Sequence, residues 1–260
     1  MIDWLEGLST LQAGIVVVGG FVSLSLVVGY LVGRFTSHEI RTAHNDRAGF
    51  ILAVIGVIYA VLLAFVAIGV WDRFQQAQAG SFEEADALAT VYRDAGSFAG
   101  GARLRGILRA YASSVANEEW DRMRRGERIE ISSPLLEQAD REIRAFSAPS
   151  GRLADIQSHM LSAIDTALGA RETRLTVYAH GINAILWMVL IVGAIVTVGF
   201  TYLFGFDKTL MQQLMIGGLS FLIGLVLFMI VALDFPFRGG IAVGADAFRG
   251  LLETFAAIGP

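Results

Sequence analysis

Four runs of this 260-residue chain carry no charged residue and are each long enough to cross a bilayer. They cover residues 11–33, 49–71, 182–204 and 210–233. A hydrocarbon core of about 30 Å needs about 20 apolar residues in a helix. Within it the backbone satisfies its polar groups only as a helix or a closed barrel. Four such runs leave too little polar surface for a soluble fold. The expected fold class is therefore an all-α, polytopic membrane protein with four transmembrane helices.

The charges sit between the runs. Charged residues make up 17% of the chain, against about 25% in ordinary soluble domains. Most of them fall in residues 72–181. That stretch reads as an extramembrane helical domain formed by extensions of spans 2 and 3. Ala85, Leu88, Ala89, Tyr92 and Ala95 recur at helical spacing beyond the second run, so that span is expected to continue outward as one long helix. Gly100 and Gly101 mark a turn. Leu104, Ile107, Leu108, Tyr111 and Val115 form the next stripe. Ser133 before Pro134 is an N-cap and first-turn pair for a short helix. Leu153, Ile156, Met160, Ile164 and Leu168 form a stripe leading to the third run. The expected organisation is a first transmembrane pair in 1–71, the helical domain in 72–181, a second pair in 182–233 and an amphipathic C-terminal segment in 234–260.

Residues 1–10 include Asp3 and Glu6 and no Lys or Arg, unlike the basic start of a secretory leader. Orientation is left open by the basic residues near span ends. Arg34, Arg41, Arg47 and Lys208 lie on one side; Arg73, Arg171, Arg174, Arg238 and Arg249 lie on the other.

Chemistry is sparse. No Cys is present, which removes thiolate ligands and nucleophiles. No hydrolase, nucleotide-binding or zinc fingerprint occurs, so an enzyme, a cofactor and a metal site are not expected, and a net charge of -4 suggests no nucleic-acid partner. The runs hold no titratable acid or base of the kind a proton-coupled transporter needs. His38, His44, Glu39 and Asp46 read as a solvated loop, and Glu83, Glu84 and Asp86 as a solvated helix face. Arg122, Arg124, Arg125 and Arg128 form a basic run that could touch lipid headgroups or simply end a helix. Gly19, Gly20, Gly217 and Gly218 are candidate close-approach points. In the second run, Val57, Val61 and Phe65 lie at i, i+4 and i+8, on one helix face. Around a symmetric ring they would form apolar collars that gate by dewetting; otherwise they pack against another span.

The segment GVIYAVLLAFVAIGVWDRFQQA, Gly56–Ala77, resembles the second transmembrane segment of bacterial bestrophins. Asn45, Gly49, Tyr59, Trp71, Ala85, Tyr92, Glu119–Trp120, Arg171, Arg174, Leu175, Trp187 and the Leu233–Gly240 stretch LDFPFRGG extend the likeness over roughly residues 45–250. The resemblance is to the bestrophin-like family. It implies a homo-pentameric ion channel in the bacterial inner membrane, whose partners are the bilayer, identical subunits and inorganic ions. It also implies an axial pore with a neck at Val57, Val61 and Phe65. Ion sign does not carry over, because members differ. The acidic calcium clasp of animal relatives has no counterpart, and Val66 stands where bacterial bestrophins carry a basic residue. The alternative function is a membrane-anchored sensor or scaffold whose helical domain binds a protein partner.

Overall fold

A computed structural model describes residues 10–36, 45–148, 151–205 and 209–259. The side chain of Asp46 and the calls on His38, Glu39, His44, Arg41 and Lys208 lie outside the described residues. Among the described residues every regular element is helical. In chain order these are α1 (Thr10–Phe35), α2 (Asn45–Ala95), α3 (Gly101–Ser114), a π-helical turn (Val115–Glu119), α4 (Trp120–Arg124), α5 (Pro134–Ala145), α6 (Arg152–Ala179), α7 (Ala184–Thr201), α8 (Thr209–Asp234) and α9 (Asp246–Ile258). Helices α1, α2, α7 and α8 each contain a window long and apolar enough to cross a membrane.

The chain divides into two compact units. The membrane unit comprises residues 1–72, 182–234 and 239–241; the extramembrane unit comprises 73–181, 235–238 and 242–260.

In the membrane unit, α1 and α8 run antiparallel. Gly14 faces Phe228, Gly224 faces Val18 and Phe21, and Gly29 faces Ile216 and Tyr202. Small residues let helices approach closely where lipid supplies no hydrophobic drive between them. The close approaches therefore fall at Gly14, Gly29 and Gly224. Gly19, Gly20 and Gly218 face open space instead, and Gly217 makes only an ordinary contact with Leu26. Asn183 caps α7 by accepting the Ile185 amide at 2.9 Å, and Asp234 accepts the Ile182 amide at 2.7 Å. These bonds satisfy backbone donors near the start of a span.

The extramembrane unit has a true core. Leu88, Tyr92, Leu104, Leu108, Tyr111, Met160 and Ile164 are buried together. Ile156 is only partly buried and Leu153 is exposed, so the sequence stripe on α6 is displaced: the buried side runs through Met160, Ile164, Ala167, Arg171 and Arg174. The α2–α3 turn depends on Gly100, at φ 92°, and on Gly101, where an added Cβ would overlap the Ala95 carbonyl. Helix α5 starts at Pro134, as the Ser-Pro pair indicates, although the Ser133 side chain makes no capping bond. Helix α9 belongs to this core: Phe248 and Phe255 are buried, and Phe255 stacks on Tyr92 at 3.9 Å.

Candidate functional site

Helix α2 supplies the membrane face on which a conduction path could be built. At 3.6 residues per turn, Val57, Val61 and Phe65 fall within an arc of roughly 80°. Their side chains are 64%, 50% and 71% exposed. Tyr59, Leu63 and Val70 are buried and cluster roughly 180° away on the same helix. The Tyr59 hydroxyl donates to the Leu190 carbonyl at 2.9 Å, which ties this buried face to α7. The Val57–Phe65 face is thus turned away from the subunit's own packing. Phe50, Val54 and Ile68 share the exposure and prolong the same apolar stripe. All of it is apolar, so water gains no hydrogen bond from these side chains.

The extramembrane unit contains a different kind of site: a buried network of ion pairs. Glu84 on α2 and Arg174 on α6 are both 0% exposed. The Arg174 Nε donates to Glu84 Oε2 at 2.8 Å, and its Nη1 lies 2.8 Å from Glu119 Oε1. Arg171 donates to Glu119 Oε2 at 2.7 Å, to the Tyr111 hydroxyl at 2.9 Å and to the Ile131 carbonyl at 2.9 Å. The Tyr111 hydroxyl in turn donates to Glu84. Rings of Trp120 and Phe248 cover Arg174 at 5.0 and 5.6 Å.

The charges balance: two carboxylates meet two guanidinium groups. Burial alone would raise the Glu119 carboxyl, but the Arg174 and Arg171 charges outweigh it and hold the group below the usual carboxylate range. Burial alone would lower both arginines; Glu84, Glu119 and Tyr111 reverse that effect, so both stay charged. Burial, reinforced by the Glu84 charge, pushes the Tyr111 phenol well up. Glu119 ends the π-helical turn. Such a turn shifts the helical register by one residue and is common where a side chain must be re-aimed. Among the described residues, no group of three or more His, Asp or Glu could hold a metal ion.

A family model described as the Bestrophin-like domain matches residues 19–248. The chain belongs to that family. Its fold is shared with crystal structures of a bacterial bestrophin homologue from Klebsiella pneumoniae. One point variant aligns with a TM-score of 0.65 at 14% identity, covering 91% of this chain and 98% of that one. Another gives 0.66 at 14% identity, covering 94% and 97%. A further crystal structure, described only as a membrane protein, gives 0.66 at 14% identity over 91% and 98%. No curated protein matches the sequence.

In the buried network of this Bestrophin-like protein, Glu119, Arg171 and Arg174 are among the residues that carry the resemblance, whereas Glu84 was expected on a solvated helix face. Glu84 is not part of a solvated acidic face; Glu83 and Asp86 beside it are exposed, but Glu84 points inward. The signal lies in register. Ala77, Ser81, Glu84, Leu88, Val91 and Ala95 are all buried, at alternating spacings of four and three. Met160, Ile164, Ala167, Arg171, Arg174 and Tyr178 do the same on α6. A charge falling inside an apolar stripe on each of two helices marks a buried pair. The basic run divides. Arg122 and Arg125 pair with Glu127 at 3.2 and 2.5 Å, while Arg128 lines an open cavity.

Proposed function

We propose that this chain is one subunit of a homo-pentameric ion channel, with passive conduction along a central axis bordered by α2. Val57, Val61 and Phe65 form its neck. One observation carries the reading: these side chains lie opposite Tyr59, Leu63 and Val70, the face that α2 buries within its own subunit. A continuous exposed apolar stripe on that side suits a ring of α2 helices around an axis. Family membership supports the same reading, as does cyclic closure, the usual outcome for identical subunits.

The neck acts through dewetting. Its largest member, Phe65, sets the narrowest opening, and its removal lowers the barrier to water and ions. Phe65→Ala is expected to raise ion flux in proteoliposomes while the oligomer persists on size-exclusion chromatography. If Phe65 instead fills a contact between helices, the same change removes buried volume and costs about 3–5 kcal/mol. Unaltered flux with a lost oligomer would retire the neck and favour a membrane-anchored scaffold.

A further inference from the structure

A hydroxyl buried in a membrane-spanning helix ordinarily bonds its own backbone, because hydrocarbon offers it no other partner. In the membrane unit, Ser25 donates to the Phe21 carbonyl at 2.8 Å and Thr201 to the Val198 carbonyl at 2.5 Å. Among the described residues, the buried hydroxyls of Thr197 and Ser220 have no hydrogen-bond partner. Thr197 is only 2% exposed. A buried hydroxyl left unbonded is costly and calls for a physical explanation.

Thr197 lines a crevice of about 370 Å³ between α7 and the membrane-unit part of α2. Ile55, Ile58 and Leu62 form one wall, and Met188, Val192 and Val196 form the other. Tyr59 and Gly193 also line it and bring the two helices together, since an added Cβ at Gly193 would overlap the Tyr59 ring. The Tyr59 hydroxyl is already spent on the Leu190 carbonyl at 2.9 Å. The side chains around the crevice are thus apolar, except for one engaged phenol and the unbonded Thr197 hydroxyl.

We propose that this crevice binds a small, uncharged aliphatic alcohol dissolved in the bilayer, whose hydroxyl bonds that of Thr197. The volume falls at the small end of ligand pockets, which run from about 300 to 1,000 Å³. The lining offers no ionic partner, and an unpaired charge among apolar side chains is strongly disfavoured. Water is a poor occupant, because a buried water needs about two to four polar partners. A lipid acyl chain, or an apolar side chain of a second subunit, would fill the walls but leave Thr197 unbonded. An alcohol satisfies both the walls and the hydroxyl, which can donate or accept. The site is independent of whether the channel conducts.

Photolabelling of the full-length protein in proteoliposomes tests this, with a diazirine-bearing octanol as the probe and adducts located by peptide mass spectrometry. Adducts are expected to concentrate on the crevice walls, at residues such as Ile58, Met188 and Val192. At equal mole fraction in the bilayer, 1-octanol is expected to displace the probe about fivefold more effectively than octane, the worth of one neutral hydrogen bond. Thr197→Val keeps the side chain's shape and removes the hydroxyl, so it is expected to bring 1-octanol down to the level of octane. Val192→Phe fills the crevice and is expected to abolish its adducts. Thr197→Val decides the matter if Val192→Phe fails to fold. Equal displacement by octane and 1-octanol in wild type would overturn the proposal, leaving a groove for acyl chains. Wild-type protein without adducts in the crevice would overturn it too, because a neighbouring subunit then covers that face. So would an undiminished preference for 1-octanol in Thr197→Val.

Discussion

The two ends of helix α2 are built on opposite terms. In the membrane unit, only 17% of its most apolar window is buried, and Phe50, Val57, Phe65 and Ile68 among its large side chains face outward. In the extramembrane unit, Ala77, Leu88, Val91, Tyr92 and Ala95 are almost wholly enclosed, and even Glu84 is. One end leaves its apolar surface outside the packing of its own subunit; the other folds around its own core. The contrast teaches where sequence changes will be felt. At the enclosed end a substitution should register as stability. At the open end it should register as assembly or conduction.

The largest expected effect is at Glu84. Removing one partner of a buried ion pair leaves the other charge uncompensated and costs about 3–5 kcal/mol. Glu84→Ala should therefore unfold or prevent assembly of the extramembrane unit, seen as lost expression of the oligomer or a steeply lowered thermal midpoint. A variant with wild-type melting would break the contrast. Acid probes the same network. Glu119 has a folded pKa depressed below its unfolded value. Its contribution is complete above the usual carboxylate range and is lost as pH falls through the folded value. Thermal stability should decline only below that range, and Glu119→Gln should flatten the decline.

Leu108 comes next. It is fully buried among Leu88, Leu104 and Tyr111 in the core. Leu108→Ala removes methyl groups and leaves a cavity, at a cost of about 2–5 kcal/mol. The spread depends on how far α3 and α5 can close the gap. Differential scanning fluorimetry of the purified protein gives the value, and a loss under about 1 kcal/mol would place Leu108 outside the core.

The sequence made much of this legible. Absence of charge over some twenty residues admits few structures, so the spans were plain. Apolar spacing then gave α2 its length beyond the membrane and gave Leu104, Leu108 and Tyr111 their burial. Other features were hidden for physical reasons. Glu84 lies between Glu83 and Ala85, with Asp86 beyond, and composition alone cannot tell one inward carboxylate from two outward ones. Its partner Arg174 is 90 residues away. The π-helical turn at Val115–Glu119 follows from tertiary demand rather than from local propensity, because VANEE suits an α-helix equally well. Helix α9 read as an amphipathic tail; its apolar face turns out to complete the core through Phe248 and Phe255.

The smallest stability effect, and the sharpest comparison, comes from making one substitution twice on α2. Val91 is 0% exposed in the extramembrane core and Val61 is 50% exposed in the membrane unit. Valine and threonine have nearly the same shape, so Val→Thr exchanges a methyl group for a hydroxyl without changing volume much. At position 91 the hydroxyl enters an apolar core, and an unsatisfied buried donor costs about 1–3 kcal/mol. A hydroxyl there can recover part of this by bonding the carbonyl one turn earlier, as Ser81 does to Ala77, so the lower half of that range is expected. At position 61 the same hydroxyl meets no packed neighbour of its own subunit, and stability should change by no more than about 0.5 kcal/mol. Conduction should respond instead, because a ring of hydroxyls in the neck offers water the hydrogen bonds that the methyl groups deny it. Proteoliposome flux should rise for Val61→Thr and stay unchanged, per folded channel, for Val91→Thr. If Val61→Thr destabilises the protein as much as Val91→Thr, the exposed face of α2 is a packed seam between subunits and the neck must be sought elsewhere.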